Sequence, residues 1–200
     1  MKEQNHIIRL DQLLAAHNGY ISTAQAEALG LSRSSFYAYV NKRNLVKVEH
    51  GLYFSENEWK DEMYELQYTF PNIIFSHETS LMLHELSQKN PSRLAVTVKS
   101  GSNASALYER QSTVYYIKPE LFEVGIIEKE TWAGNRVKCY NMERTICDVL
   151  RAGSKVSPQD REYALREYYS RPDRNLHELV LTAQLFNVEK LVRVYNEVLR

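Results

Sequence analysis

Residues 22–54 read STAQAEALGLSRSSFYAYVNKRNLVKVEHGLYF, and the placement of caps and glycines within them decides the fold. Ser22 and Thr23 offer an N-cap before AQAEALG, whose Gly30 can take the left-handed conformation that ends a short helix. Leu31 then precedes Ser32, a second N-cap, and RSSFYAYVNKRN continues with helical spacing to Asn44. Two helices joined across a Gly-Leu turn form a helix-turn-helix, the arrangement whose second helix enters the DNA major groove. In LVKVEHGLYF, β-branched and aromatic residues flank His50-Gly51, and Gly51 supplies the positive φ of a tight reversal. A hairpin behind the second helix makes the module a winged helix.

Working outward, Ile7, Ile8, Leu10, Leu13 and Leu14 suit one face of a first helix over about 4–17, stopped at Asn18-Gly19. At about 100° per residue, Phe36, Tyr39, Val40 and the stem of Arg43 fall on one side of the second helix of the motif, with Leu31 beside them. Ser34, Tyr37, Ala38 and Asn41 face away, a composition that tolerates close approach to base edges. Arg33 stands at the N-terminal end, where phosphate or guanine contact is easiest, and Asn41 is the best single candidate for reading adenine. Lys42, Arg43 and Lys47, with His50 at the wing tip, complete a set of eight candidate DNA contacts: Arg33, Ser34, Tyr37, Asn41, Lys42, Arg43, Lys47 and His50. The nearest acids are Glu27 and Glu49. A winged helix used only for protein contacts is the competing reading, because four basic residues in fifteen positions is a modest excess.

Beyond residue 55 the character changes. ENEWKDEMYELQYTF is acidic and helical, closed by Pro71 before the strand-like IIF, and SHETSLMLHELS reads as a helix with Ser76 as N-cap and Leu81, Leu83 and Leu86 on its buried side. RLAVTVK, STVYYIK, FEVGIIEKE and NRVKCYN are strand candidates. From Met142 the chain turns helical in four stretches, MERTICDVLRAG, SPQDREYALREYYS, LHELVLTAQLF and VEKLVRVYNEVLR. The expected architecture is α/β (α+β): a winged helix-turn-helix over 1–55, then a mixed α/β domain over 56–200 with a helical C-terminal part.

Composition narrows the function. The 200 residues hold 25 Lys+Arg and 25 Asp+Glu, so whole-chain charge points to neither nucleic acid nor membrane, and any such site must come from local placement. With 44% hydrophobic residues the chain is expected to fold throughout. Cys139 and Cys147 are too few for a disulfide framework and lack zinc-site clustering. MKEQNHIIRLDQLL interrupts its apolar residues with charges, unlike a signal peptide, and no apolar run reaches about 20 residues, so a cytoplasmic location without membrane contact is expected.

Motifs that suggest catalysis are weak. His77 and His84 are seven positions apart, about 10 Å along a helix, too far to share a metal. Ser76, His77 and Glu78 are adjacent, whereas a hydrolytic triad draws on separate segments. KSGSNASAL lacks the second glycine and the Lys-Ser/Thr of a P-loop and reads as a loop. Arg144 and Asp148 lie four apart on a helix and can pair. Arg161, Arg166, Arg171, Arg174, Lys190, Arg193 and Arg200 are interleaved with Tyr163, Tyr168 and Tyr169 but also with acids, which favours a solvated, salt-bridged face over a nucleic-acid surface. No catalytic residue, metal or cofactor is expected.

The winged helix followed by HGLYF, IIFSHETSLMLHELS, LAVTVKSG and above all YNMERTICDVLR resembles the AbiEi-family antitoxins of bacterial abortive-infection (type IV toxin–antitoxin) systems. The resemblance implies an N-terminal domain that represses its own operon at promoter inverted repeats in double-stranded DNA. It also implies a C-terminal domain that counters a nucleotidyltransferase-like toxin, whether or not the two proteins touch, in defence against phage. Arg144, Asp148, Lys190 and Arg193 are the candidates for the toxin-opposing surface. The alternative is a nucleic-acid-processing enzyme that finds its substrate through the winged helix.

Overall fold

The computed structural model describes residues 2–198; Met1, Leu199 and Arg200 lie outside it. The chain divides into two compact units, one running to Pro71 and including 130–136, the other formed by 72–129 and the remainder from 137. The architecture is mixed α/β with two sheets, one of three strands and one of five.

The first unit contains α1 (Lys2–Ala16), β1 (Tyr20–Ser22), α2 (Thr23–Ala28), α3 (Arg33–Lys42), β2 (Val46–Glu49), β3 (Leu52–Phe54) and α4 (Glu62–Thr69). Asn18 and Gly19, both at positive φ, end α1, with the Gly19 N–H returning to the Leu14 carbonyl at 2.9 Å. Ser22 closes a reciprocal capping box with Gln25 at the start of α2. Ser32 caps α3 by accepting from the Ser35 N–H at 3.2 Å. Asn44 at φ 53 ends α3, and the Leu45 N–H reaches back to the Val40 carbonyl. Strand β1 has no signature in the sequence, because three residues between a helix stop and a cap carry no periodicity. It pairs antiparallel with β3, Ile21 opposite Tyr53, while β2 flanks β3 on its other side. Leu10, Ile21, Ala26, Phe36, Val40 and Leu45 form the core beneath α3.

The expected boundary after Ser55 falls inside this unit, and Asp61 shows why. Fully buried, it caps α4 by accepting from the Tyr64 N–H at 3.1 Å and takes further bonds from Thr131 and Asn135. The Tyr20 hydroxyl accepts from the Asp61 N–H at 2.7 Å and donates to Glu65 at 2.9 Å. Tyr64 and Tyr68 pack on the cluster of Tyr20, Leu52 and Phe54, so α4 completes the wing's core.

The second unit contains β4 (Ile74–Phe75), α5 (His77–Leu83), β5 (Ala95–Lys99), α6 (Ser105–Glu109), β6 (Thr113–Ile117), α7 (Pro119–Phe122), β7 (Ile126–Glu130), β8 (Arg136–Tyr140), α8 (Met142–Leu150), α9 (Pro158–Ser170), α10 (Leu176–Leu185) and α11 (Glu189–Val198). The sheet order is β6-β5-β4-β8-β7; β4 runs antiparallel to β5 and parallel to β8, and β5 runs parallel to β6. The expected strands and helices are present, with Pro158 in the first turn of α9. KSGSNASAL is a turn followed by the short helix α6 rather than loop throughout. Every residue of α8 from Glu143 to Leu150 is buried, among α5, α9 and α10, so this helix is the centre of the unit and not merely a cover for the sheet.

Candidate nucleic-acid interface

Helix α3 carries its apolar residues inward and its polar ones out. Phe36, Tyr39 and Val40 are buried at 5% exposure or less, and Ser34, Tyr37, Ala38 and Asn41 are exposed, as the helical wheel requires. Tyr37, 45% exposed, stands edge-on to Tyr53 of the wing with ring centroids 6.2 Å apart, so the wing strand braces it at the surface. Lys42, Lys47 and His50 are also exposed. The wing turn is anchored at the Gly51 carbonyl, which accepts from the Thr23 N–H at 2.9 Å and the Tyr68 hydroxyl at 3.3 Å. A Cβ on Gly51, at φ 72, would stand 2.8 Å from the Thr23 hydroxyl, so the turn tolerates only glycine without strain.

Two expected cations are already engaged. Arg43 forms a two-pronged ion pair with Asp11 of α1, its Nε 2.9 Å from Oδ1, and the Tyr39 hydroxyl donates to the same carboxylate at 2.9 Å. Its head therefore fastens α3 to α1 rather than standing ready for a phosphate. Arg33 is exposed at the start of α3, but its Nε lies 3.0 Å from Glu27. Ser34 shares the Ser32 hydroxyl with Ser35 at 2.9 Å. Asp11 and Glu27 set the state of the two arginines; Asp11 is 32 positions from Arg43, and no local spacing marks the pair.

The candidates of the second unit separate into buried and exposed. Arg144 and Asp148 are each 1% exposed, so they are not a surface. The Arg144 Nε donates to Asp148 at 3.0 Å, its Nη1 donates to the Leu121 and Val124 carbonyls at 2.9 Å, and its guanidinium lies 3.9 Å from the Tyr140 ring and 4.0 Å from that of Phe186. Burial pushes the Asp148 carboxyl upward against the pull of Arg144. Lys190 and Arg193 are exposed on α11, Arg193 pairing with Glu189 at 2.8 Å. Tyr168 and Tyr169 are buried, and Arg166 and Arg171 pair with Glu162 and Asp173, so the tyrosines do not form an exposed stacking face. Arg200 lies outside the described residues.

Ser76 occupies the N-cap position of α5 but makes no side-chain cap bond. Its hydroxyl meets the His77 Nδ1 at 3.0 Å and accepts from Thr97 at 2.8 Å. Burial holds the His77 imidazole down to about 3, a poor match to general-base work near neutrality. Among the described residues no three His, Cys, Asp or Glu side chains gather as a metal requires, and no helix is long and apolar enough to cross a membrane.

An outward polar helix face, a braced aromatic and a fixed wing in one small unit are the geometry of a winged helix. Residues 9–54 match the family model described as "Transcriptional regulator, AbiEi antitoxin". The matched stretch runs from α1 through β3 and includes all eight candidate DNA contacts. Among curated proteins no sequence matches the chain. Among solved structures, the RV2827C protein from Mycobacterium tuberculosis is similar in fold, with a TM-score of 0.57 at 10% identity over 92% of this chain and 72% of that one.

Proposed function

We propose that the chain is an antitoxin and autorepressor of a type IV toxin–antitoxin, or abortive-infection, operon that acts in the cytoplasm. The observation that carries this reading is the exposed face of α3 within a unit that matches the AbiEi regulator model. Asn41 reads a base edge, Ser34 and Tyr37 line the groove, and Lys42, Lys47 and His50 take phosphates. Arg33 joins them once it exchanges Glu27 for DNA. The partner DNA is the inverted repeats of its own promoter. The second unit counters a nucleotidyltransferase-like toxin, and with Arg144 and Asp148 buried the remaining candidate surface is Lys190 and Arg193 on α11.

Titrating the full chain against its upstream DNA tests the DNA half. Affinity falls with salt by a slope of about 0.9 per neutralised phosphate, and Asn41→Ala relaxes preference at one position by about 1–3 kcal/mol. Salt-independent binding, or an Asn41→Ala protein with the wild-type base preference, overturns the assignment. For the toxin half, Lys190→Glu with Arg193→Glu abolishes rescue of cells expressing the neighbouring toxin gene while leaving promoter binding intact. Full rescue by that variant removes α11 from the antitoxin surface.

A further inference from the structure

The second unit holds a cavity of about 240 Å³ that the winged-helix reading does not use, lined by Arg144, Arg151, Lys155, Asp148, His77 and Tyr115. Three of these groups are cationic and one is a carboxylate, and that carboxylate is occupied by Arg144, with Arg151 3.7 Å away on its other oxygen. Lys155 is exposed, with its ammonium 5.7 Å from the Tyr115 ring, whose plane stacks on His77 at 3.4 Å. Arg144 Nη2 is buried without a hydrogen-bond partner in the chain, a donor that an anion or water completes, while Asp148 Oδ1, likewise unpartnered, calls for a donor such as water or the hydroxyl of a monoprotonated phosphate. A second cavity of about 370 Å³ shares Tyr116, Ile117 and Arg151 with the first. The positive lining selects an anion, and the adjoining space accommodates something larger attached to it.

We infer that this cavity is a binding site for a phosphoryl group, held by Arg151 and Lys155 over the Tyr115–His77 stack, and that the phosphoryl group is free phosphate or the phosphate of a nucleotide. Arg144 and Asp148 fix the floor, and Arg151 marks the passage to the second cavity. The imidazole of His77, neutral at physiological pH, leaves the cations as the source of selectivity.

The test uses the full chain at constant ionic strength, titrated with inorganic phosphate, AMP or ATP and followed by calorimetry and by the His77 imidazole resonances. Binding that shifts the His77 resonances is expected, weakened at least tenfold by Arg151→Gln with Lys155→Gln. Arg151 also stands 3.7 Å from the buried Asp148 carboxylate, so this double variant melts below wild type and its fold is checked by circular dichroism, whereas Lys155→Gln alone, at an exposed side chain, keeps the melting temperature of the ligand-free protein and still weakens binding. A companion variant, Arg33→Gln with Lys42→Gln, keeps phosphate binding and so separates this site from the DNA face. Nucleotides at least tenfold tighter than phosphate assign the second cavity to the nucleoside, and equal affinities assign the site to free phosphate. No binding, or equal binding to the Arg151/Lys155 variant, overturns the inference.

Discussion

Replacing Arg144 by Met keeps a long side chain between the Tyr140 and Phe186 rings but removes the guanidinium between them. The Leu121 and Val124 carbonyls each lose a charged donor, and Asp148 is left fully buried beside only Arg151 at 3.7 Å. Removing one partner of a buried ion pair costs about 3–5 kcal/mol, and a chain of this size loses about 2–4 °C per kcal/mol, so the melting temperature falls by about 6–20 °C. The deficit also depends on pH. Without Arg144 the Asp148 pKa rises further above its unfolded value, so the folded state gains stability from the proton at low pH and loses it as pH rises through the folded pKa. The loss is therefore larger at pH 8 than at pH 5. Far-UV circular dichroism during urea unfolding follows the whole chain, while Trp59 and Trp132, its only tryptophans, both lie in the first unit and report that unit by fluorescence. Adding Asp148→Leu to Arg144→Met removes the stranded charge and restores part of the loss. A single variant less than about 1 kcal/mol below wild type, or a double variant as weak as the sum of the singles, refutes the account of Arg144 as a buried anchor.

Three further outcomes follow from the same geometry. Glu27→Gln releases Arg33 from an exposed pair and strengthens promoter binding by up to about fivefold, most visibly at low salt; weaker binding in an anisotropy titration contradicts the exchange. Burial holds His77 down to about 3 and His84 to about 4 from the ordinary 6.5, so the unfolded chain takes up protons first and stability drops as pH falls below 6.5, by about 3 kcal/mol for each histidine at pH 4.5. Glu78 and Asp148, both pushed upward by burial, offset part of this, and a double His77→Gln/His84→Gln protein with an unchanged pH–stability profile contradicts the assignment. Finally, burial pushes the Cys139 thiol up to about 12 and raises that of Cys147 as well, so neither reacts with a disulfide reagent until the chain unfolds; rapid labelling of the native protein disproves their burial.

The winged helix was legible in residues 22–54 because every signal there is local. Caps lie within three residues of what they cap, glycines sit where φ is positive, and the inward and outward faces of α3 repeat with the helical period. Most strands and helices of the second unit were legible from β-branched runs and helical spacing, with Pro158 in the first turn of α9, whereas the short helices α6 and α7 carried no such signal. Tertiary structure decided the rest. Asp61 and α4 belong to the wing's core through partners 41–74 positions away, which sequence spacing does not register. Arg43 and Asp11 meet across two helices, turning an expected phosphate contact into a brace. The i, i+4 spacing of Arg144 and Asp148 announced a pair, but only the packing of Tyr140 and Phe186 on the guanidinium, with α5, α9 and α10 gathered around α8, determined that the pair is buried. Caps and i, i+4 spacings are written along the chain, whereas burial and long-range hydrogen bonds depend on which distant elements close over a residue, and that is a property of the folded molecule alone.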